Sequence, residues 1–250
     1  KGSRVTYHHN LWLHHKDRMP RPGNYTLPAQ DPVGGFFDFR SNVFYNWGDE
    51  RSGYNMDFQG THSSYNFVDN CYWTGPSSKG AFAFEESSSK ARAYFSGNTM
   101  NGQMPADPWS LVRSHKTHLP QGLPDNYKSS QPFTVAPLQR DPAVTACPKV
   151  IETAGAFLSR DAVDQRLIAD FVQRKGQIIN SQAEVGGWPQ LRSLPAPVDT
   201  DGDGIPDAWE KARGLDPLNA KDGAQVDGVT GYTHLENYLA DLVTQKSKQR

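Results

Sequence analysis

The sequence predicts an all-β solenoid of parallel strands followed by a smaller, partly helical extension, and three observations lead there. Four six-residue blocks recur with a terminal Asn: Val5 to Asn10, Phe37 to Asn42, Tyr65 to Asn70 and Ala93 to Asn98. The Asn positions lie 32, 28 and 28 residues apart. An aromatic residue (Tyr7, Phe39, Phe67, Phe95) stands three positions before each Asn, and Trp12, Phe44, Tyr72 or Met100 stands two positions after it. A period of this length marks a solenoid, in which each unit buries its apolar face only by stacking on its neighbours.

Within each block, apolar and polar residues alternate, which favours strand over helix. A recurring Asn suits a tight bend, because Asn tolerates the left-handed conformation and its amide can hydrogen-bond to the Asn of the next coil. We therefore expect coils over residues 1–101, with an Asn ladder at the bend and aromatic stacks inside. An antiparallel sandwich with scattered Asn turns is the competing arrangement.

Residues 102–194 are expected to wrap the coils as an extended loop with one flanking helix. Pro105, Pro108, Pro120, Pro124, Pro132, Pro137, Pro142 and Pro148 speak against a continuing ladder. From Ser159 a helix start follows at Ser159-Arg160-Asp161-Ala162. Val163, Leu167, Ile168, Phe171 and Val172 then share one helical face until Gly176 stops it.

Residues 195–250 form a third segment around Asp199-Thr200-Asp201-Gly202-Asp203-Gly204-Ile205-Pro206-Asp207-Ala208-Trp209-Glu210. Carboxylates fall at positions 1, 3, 5, 9 and 12 of a twelve-residue loop, with Gly at 6 and the Ile205 carbonyl at 7, which is the ligand spacing of a calcium loop. The metal ligands expected are Asp199, Asp201, Asp203, Ile205, Asp207 and Glu210. Leu194-Pro195-Ala196-Pro197-Val198 cannot be an entering helix, so the loop stands alone rather than in a paired sensor. An exiting helix over Asp207–Arg213 should end at Gly214. Thr233-His234-Leu235-Glu236 is a capping box opening another helix, with Leu235, Tyr238, Leu239 and Leu242 on one side.

With 250 residues and 36% hydrophobic content, the chain can build one substantial core and a small appendage. A net charge of −1 argues against a nucleic-acid or membrane-surface role driven by bulk charge, although Lys16, Arg18 and Arg21 form a local basic cluster. No apolar run approaches the roughly 20 residues of a membrane span, and Lys1 to Arg4 lead into no apolar signal core. We expect a secreted chain whose export signal is already removed. Cys71 and Cys147 leave a disulfide and two free thiols equally open.

Val5-Thr6-Tyr7-His8-His9-Asn10-Leu11-Trp12, followed by Arg18-Met19-Pro20-Arg21, resembles the catalytic-arginine region of the pectate lyases. Those enzymes are polysaccharide lyases built on a right-handed parallel β-helix. The resemblance extends to the late amphipathic helix, to Glu184-Val185-Gly186-Gly187-Trp188-Pro189 and to the calcium loop, and covers the later half of the family's usual length. It implies cleavage of polygalacturonate by β-elimination, with calcium as cofactor and pectin or a related polyuronate as partner.

By that resemblance Arg18 is the base that removes the C5 proton, and Lys16 and Arg21 bind uronate carboxylates. An unprotonated guanidinium requires a strongly cationic site and high pH, so an alkaline optimum is expected. Asp57 and Glu85, with Glu86, should lie on the same sheet in later coils and hydrogen-bond sugar hydroxyls or face solvent. His8 and His9 are expected to be structural.

The family's upstream calcium carboxylates and uronate-binding Lys have no counterparts here, and Gly23 stands where a second Arg is common. A β-helix truncated at its N-terminal end is therefore expected, completed by a homo-oligomer or a missing fragment. Two alternatives stay open. One is a non-catalytic polyuronate-binding protein; the other is a β-helix glycoside hydrolase, whose Asn-Thr-Asp and Gly-His-Gly signatures the chain lacks.

Overall fold

The computed structural model describes residues 4–56, 58–191 and 193–248. It divides into a unit of residues 1–189 and a unit of residues 190–250. The first is a β-solenoid of about four turns with only parallel strand pairing between its strands. One sheet stacks β1 (Arg4–His8), β3 (Gly35–Arg40), β6 (Ser63–Val68) and β9 (Ala91–Ser96). A second stacks β2 (Leu11–Leu13), β4 (Val43–Tyr45), β7 (Cys71–Trp73) and β10 (Thr99–Met100). The third holds β5 (Arg51–Tyr54), β8 (Phe82–Glu86) and β11 (Val112–Ser114).

The register reproduces the sequence columns: Tyr7 pairs with Phe39, Phe39 with Phe67, and Phe67 with Phe95. Their rings stack at centroid distances of 5.2, 5.1 and 4.6 Å. Trp12, Phe44 and Tyr72 make the second column at 5.6 and 4.8 Å. Each aromatic pair adds about 0.5–1.5 kcal/mol beyond simple burial, so the columns favour this register over any slipped one.

The Asn ladder is complete. The Nδ2 of Asn10, Asn42 and Asn70 donates to Oδ1 of the next Asn at 2.9, 3.0 and 2.9 Å, and that same oxygen accepts the backbone N–H of the Asn below it. Asn42, Asn70 and Asn98 also donate to the carbonyls of Tyr7, Phe39 and Phe67. One point differs from expectation: the left-handed residue is the one before each Asn, namely His9, Ser41, Asp69 and Gly97. The Asn serves the bend through its side chain, which reaches both neighbouring coils.

The proline-rich segment does not end the ladder. β11 adds a rung to the third sheet, and Lys128 forms a parallel bridge to Ala93. Each lies in a stretch of three or more residues without proline, where backbone donors remain available. Helix α1 (Ala143–Thr153) was not signalled by the sequence, since Pro148 lies inside it. It covers the second sheet, burying Ala143 and Val150 with Val43, Tyr45 and Phe171. Helix α2 (Ala162–Gln173) starts where predicted, with Asp161 accepting from the N–H groups of Val163 and Asp164. It stops at a left-handed Arg174, two residues ahead of Gly176, and Val172 is exposed while Asp170 is buried.

In the second unit, α3 (Asp207–Arg213) ends at a left-handed Gly214, and α4 (His234–Lys248) opens with the Thr233–Glu236 capping box. Trp209 packs edge-on against Tyr238 at 5.6 Å and donates to Asp241 at 3.0 Å. Leu239 and Leu242, expected on a packed face, are exposed. No described helix is long and apolar enough to cross a membrane.

Candidate functional site

After β2 the chain turns at a left-handed His14, whose Nδ1 lies 2.7 Å from Asn46 Nδ2, and runs alongside β5. The Met19 N–H donates to Ser52 O at 3.0 Å, Ser52 Oγ donates to Met19 O at 2.6 Å, and the Tyr54 N–H donates to Pro20 O at 3.0 Å. Residues 19–20 thus extend the third sheet by one rung. Met19 is fully buried in the solenoid core and anchors the segment from within. Gly53 makes the approach possible, because a Cβ there would lie 2.4 Å from the Pro20 carbonyl oxygen.

Arg18 is left-handed, with φ of 70°, and exposed, so its guanidinium projects away from the core that holds Met19. It gathers with Arg21 and Arg51 around one ring, Tyr54. Arg21 lies 5.5 Å and Arg51 4.4 Å from the centroid of that ring, and Arg18 lies near its hydroxyl. Arg21 also lies 6.0 Å from Tyr25. Beside them is a cleft of about 450 Å³, lined by Arg18, Arg21 and aromatic rings including Tyr7, Trp12, Tyr25 and Phe37. Guanidinium groups recognise carboxylates and aromatic faces pack on apolar sugar faces, so this lining suits an acidic sugar.

The Tyr54 hydroxyl raises the Arg18 pKa above its ordinary value, so Arg18 is a cation here and suited to bind an anion. Lys16 is exposed on the same segment, its carbonyl accepting from the Gly48 N–H. Glu85 is buried between two arginines, accepting from Arg51 Nε at 3.1 Å and Arg113 Nε at 2.7 Å. Its carboxylate orients those cations on the sheet. Asp57 lies outside the described residues. His9 bonds to Asp141 at 2.9 Å, a structural contact.

Asp17 and Asp49 pair with Arg51, and Glu50 with Arg113. Among the described residues these carboxylates make no metal-holding cluster at the arginines. Their oxygens are taken up by guanidinium groups.

The carboxylate loop is different. Asp199, Asp201 and Asp203 converge, and Asp203, Glu210 and Asp222 converge in turn, each trio with ligand oxygens within 4.8 Å of one another. Glu210 has no exposed surface, and neither of its carboxylate oxygens has a hydrogen-bond partner; Asp222 is buried with Oδ1 unpartnered. Burial and the neighbouring carboxylates Asp201, Asp203 and Asp222 push the Glu210 pKa up to about 7. Unpartnered buried carboxylates that repel one another fit a divalent cation held by oxygen. Ile205 is buried in the same loop.

Asp207 is diverted from this cluster. Its carboxylate accepts from the Thr200 N–H at 2.8 Å and Thr200 Oγ1 at 2.9 Å and clasps the loop from outside. Asp222 converges on Asp203 and Glu210, and Gly223 lets that turn come close: a Cβ there would lie 2.2 Å from Asp203 Oδ2. Sequence spacing could not reveal Asp222, because it lies beyond the twelve-residue pattern. Tyr54, Arg51 and Arg113 were missed for a similar reason: each looks like an ordinary strand residue until the coils stack.

A model described as the bacterial TSP3 repeat matches residues 199–220. A protein named probable pectate lyase C from Aspergillus flavus is 31% identical over 249 residues, covering 96% of this chain and 54% of its own length. Proteins of the same name from Emericella nidulans and Neosartorya fischeri are 32% and 31% identical, covering 96% of this chain and 53% of their own. The chain spans about half the length of the curated relatives it matches, and over nearly all of its own length it is similar to proteins named probable pectate lyase C.

Proposed function

We propose that this chain carries the arginine-bearing part of a lyase that cleaves polygalacturonate by β-elimination. The observation behind this reading is the gathering of Arg18, Arg21 and Arg51 on Tyr54 beside an aromatic-lined cleft. The C5 proton of a galacturonate unit is weakly acidic until the charge on the adjacent carboxylate is neutralised. Arg21 and Lys16 neutralise it by binding, while Arg51, held by Asp17, Asp49 and Glu85, positions the Tyr54 ring against which Arg21 lies. Arg18 removes the C5 proton. The C–H electron pair then forms the C4–C5 double bond as the glycosidic oxygen departs from C4 and takes up a proton.

A base must give up its own proton first, and Tyr54 favours the charged form of Arg18. Catalysis therefore rises toward alkaline pH. A pH–rate profile of unsaturated-uronide release tests the assignment, with Arg18→Lys alongside. Full activity in that variant would remove Arg18 from the role of base.

Tyr54, by favouring the charged form of Arg18, also supports a second reading, in which the chain binds polyuronate without cleaving it. Binding with no unsaturated product at any pH would establish that reading over the first.

In the second unit, calcium is the cation that suits the cluster, held by Asp199, Asp201, Asp203, Glu210 and Asp222 with the Ile205 carbonyl. Bound there, the ion would offset carboxylate repulsion and order the loop ahead of α3.

A further inference from the structure

Cys71 and Cys147 belong to neither site. Cys71 begins β7 and is buried; Cys147, on α1, is partly exposed and packs into the apolar cluster formed with Val43, Tyr45 and Phe171. Both are free thiols, and they are neighbours in one apolar cluster. Together with Trp73 and Thr99 they line a cavity of about 260 Å³. The coil stack and the covering helix thus bring into contact two sulfurs that the sequence places far apart.

Their surroundings differ. The Cys147 thiolate is favoured by the neighbouring Cys71, by Trp73 and by Arg174, whose guanidinium lies 3.7 Å from the Trp73 ring. The neighbouring Cys147 and burial push the Cys71 thiol up, and its S–H donates to the Ala143 carbonyl at 3.1 Å. A partly exposed sulfur with a nearby cation is the one that attacks first, and a buried partner in contact is placed to resolve the adduct.

We propose that Cys71 and Cys147 form an intramolecular disulfide when the folded chain meets a low-molecular-weight disulfide, bonding the third coil covalently to α1. Cys147 loses its proton to solvent and attacks one sulfur of the small disulfide. That S–S bond breaks and releases one small thiol, leaving a mixed disulfide on Cys147. Cys71 then attacks the Cys147 sulfur, giving up its own proton, and the second small thiol departs. One small disulfide is reduced to two thiols as the two cysteines are oxidised to one bridge. The bridge closes a long loop, so it removes conformational freedom chiefly from the unfolded chain.

The test uses the full chain, reduced and then exposed to glutathione disulfide without denaturant. The expected result is loss of both titratable thiols, an intact mass lower by two hydrogens, and a peptide linking Cys71 to Cys147. The thermal transition of the first unit should also rise by roughly 5–10 °C, reversibly with a dithiol reductant. In Cys147→Ser, a change at a partly exposed position, Cys71 should stay unmodified under the same conditions. Persistence of both thiols, or a glutathione adduct that never resolves, would overturn the proposal. So would glutathionylation of Cys71 in Cys147→Ser at the wild-type rate of Cys147.

Discussion

Glu86→Gln should make the solenoid more stable at alkaline pH and leave it nearly unchanged at acidic pH. Glu86 sits in β8 with no exposed surface, and its Oε1 accepts from Asn55 Nδ2 at 2.7 Å and from the N–H groups of Ser87 and Ser88 at 3.0 and 2.7 Å. Burial raises its pKa from 4.5 to about 7. The folded chain therefore binds this proton more tightly than the unfolded chain, and stability falls as pH rises from about 4.5 to 7. At 1.36 kcal/mol per pKa unit, the loss is about 3 kcal/mol and is complete above pH ~8.

Glutamine keeps the Oε1 acceptor and replaces the ionisable oxygen with an amide beside the buried Tyr127 hydroxyl, so the volume is conserved. At pH 5 both proteins should unfold within about 1 kcal/mol of each other. At pH 8.5 the variant should gain up to about 3 kcal/mol, or roughly 6–12 °C in the first unit's thermal transition. Thermal unfolding of both proteins across this range is the assay, and the difference between them cancels every other titrating group. Parallel stability curves, or a variant weaker at pH 8.5, would refute the reasoning.

Asn70→Ala should cost about 3–5 kcal/mol in chemical unfolding, because it strips the Asn42 amide and the Phe39 carbonyl of partners inside the core. The same change at the exposed Asn10 should cost about 1 kcal/mol or less. Terbium or calcium titration of the full chain, followed through sensitised emission and the second unit's melting, should show tenfold or greater weakening in Asp222→Asn. Asp207→Asn should retain the affinity far better, and the reverse ranking would restore Asp207 as the ligand.

The repeat told most of the fold because a solenoid writes its register into the chain. Each coil must place Tyr7, Phe39, Phe67 and Phe95 over one another, and each bend must offer an Asn to the next, so the columns appear at a near-constant period. The arginine segment and the carboxylate loop were visible for the same reason: their spacing is local. Helix α1 was hidden because its stability comes from the apolar face it covers rather than from propensity, which Pro148 lowers.

Tertiary structure alone decided which groups meet. Stacking put Tyr54 under three arginines and locked Glu85 between two of them; a later turn brought Asp222 to Glu210. The covering helix likewise brought Cys147 to Cys71. Sequence by itself determined the periodic and the local, since those contacts lie at fixed offsets along the chain. Charge pairing, metal-ligand choice and thiol contact depend on distances across coils and turns, which exist only once the chain has folded.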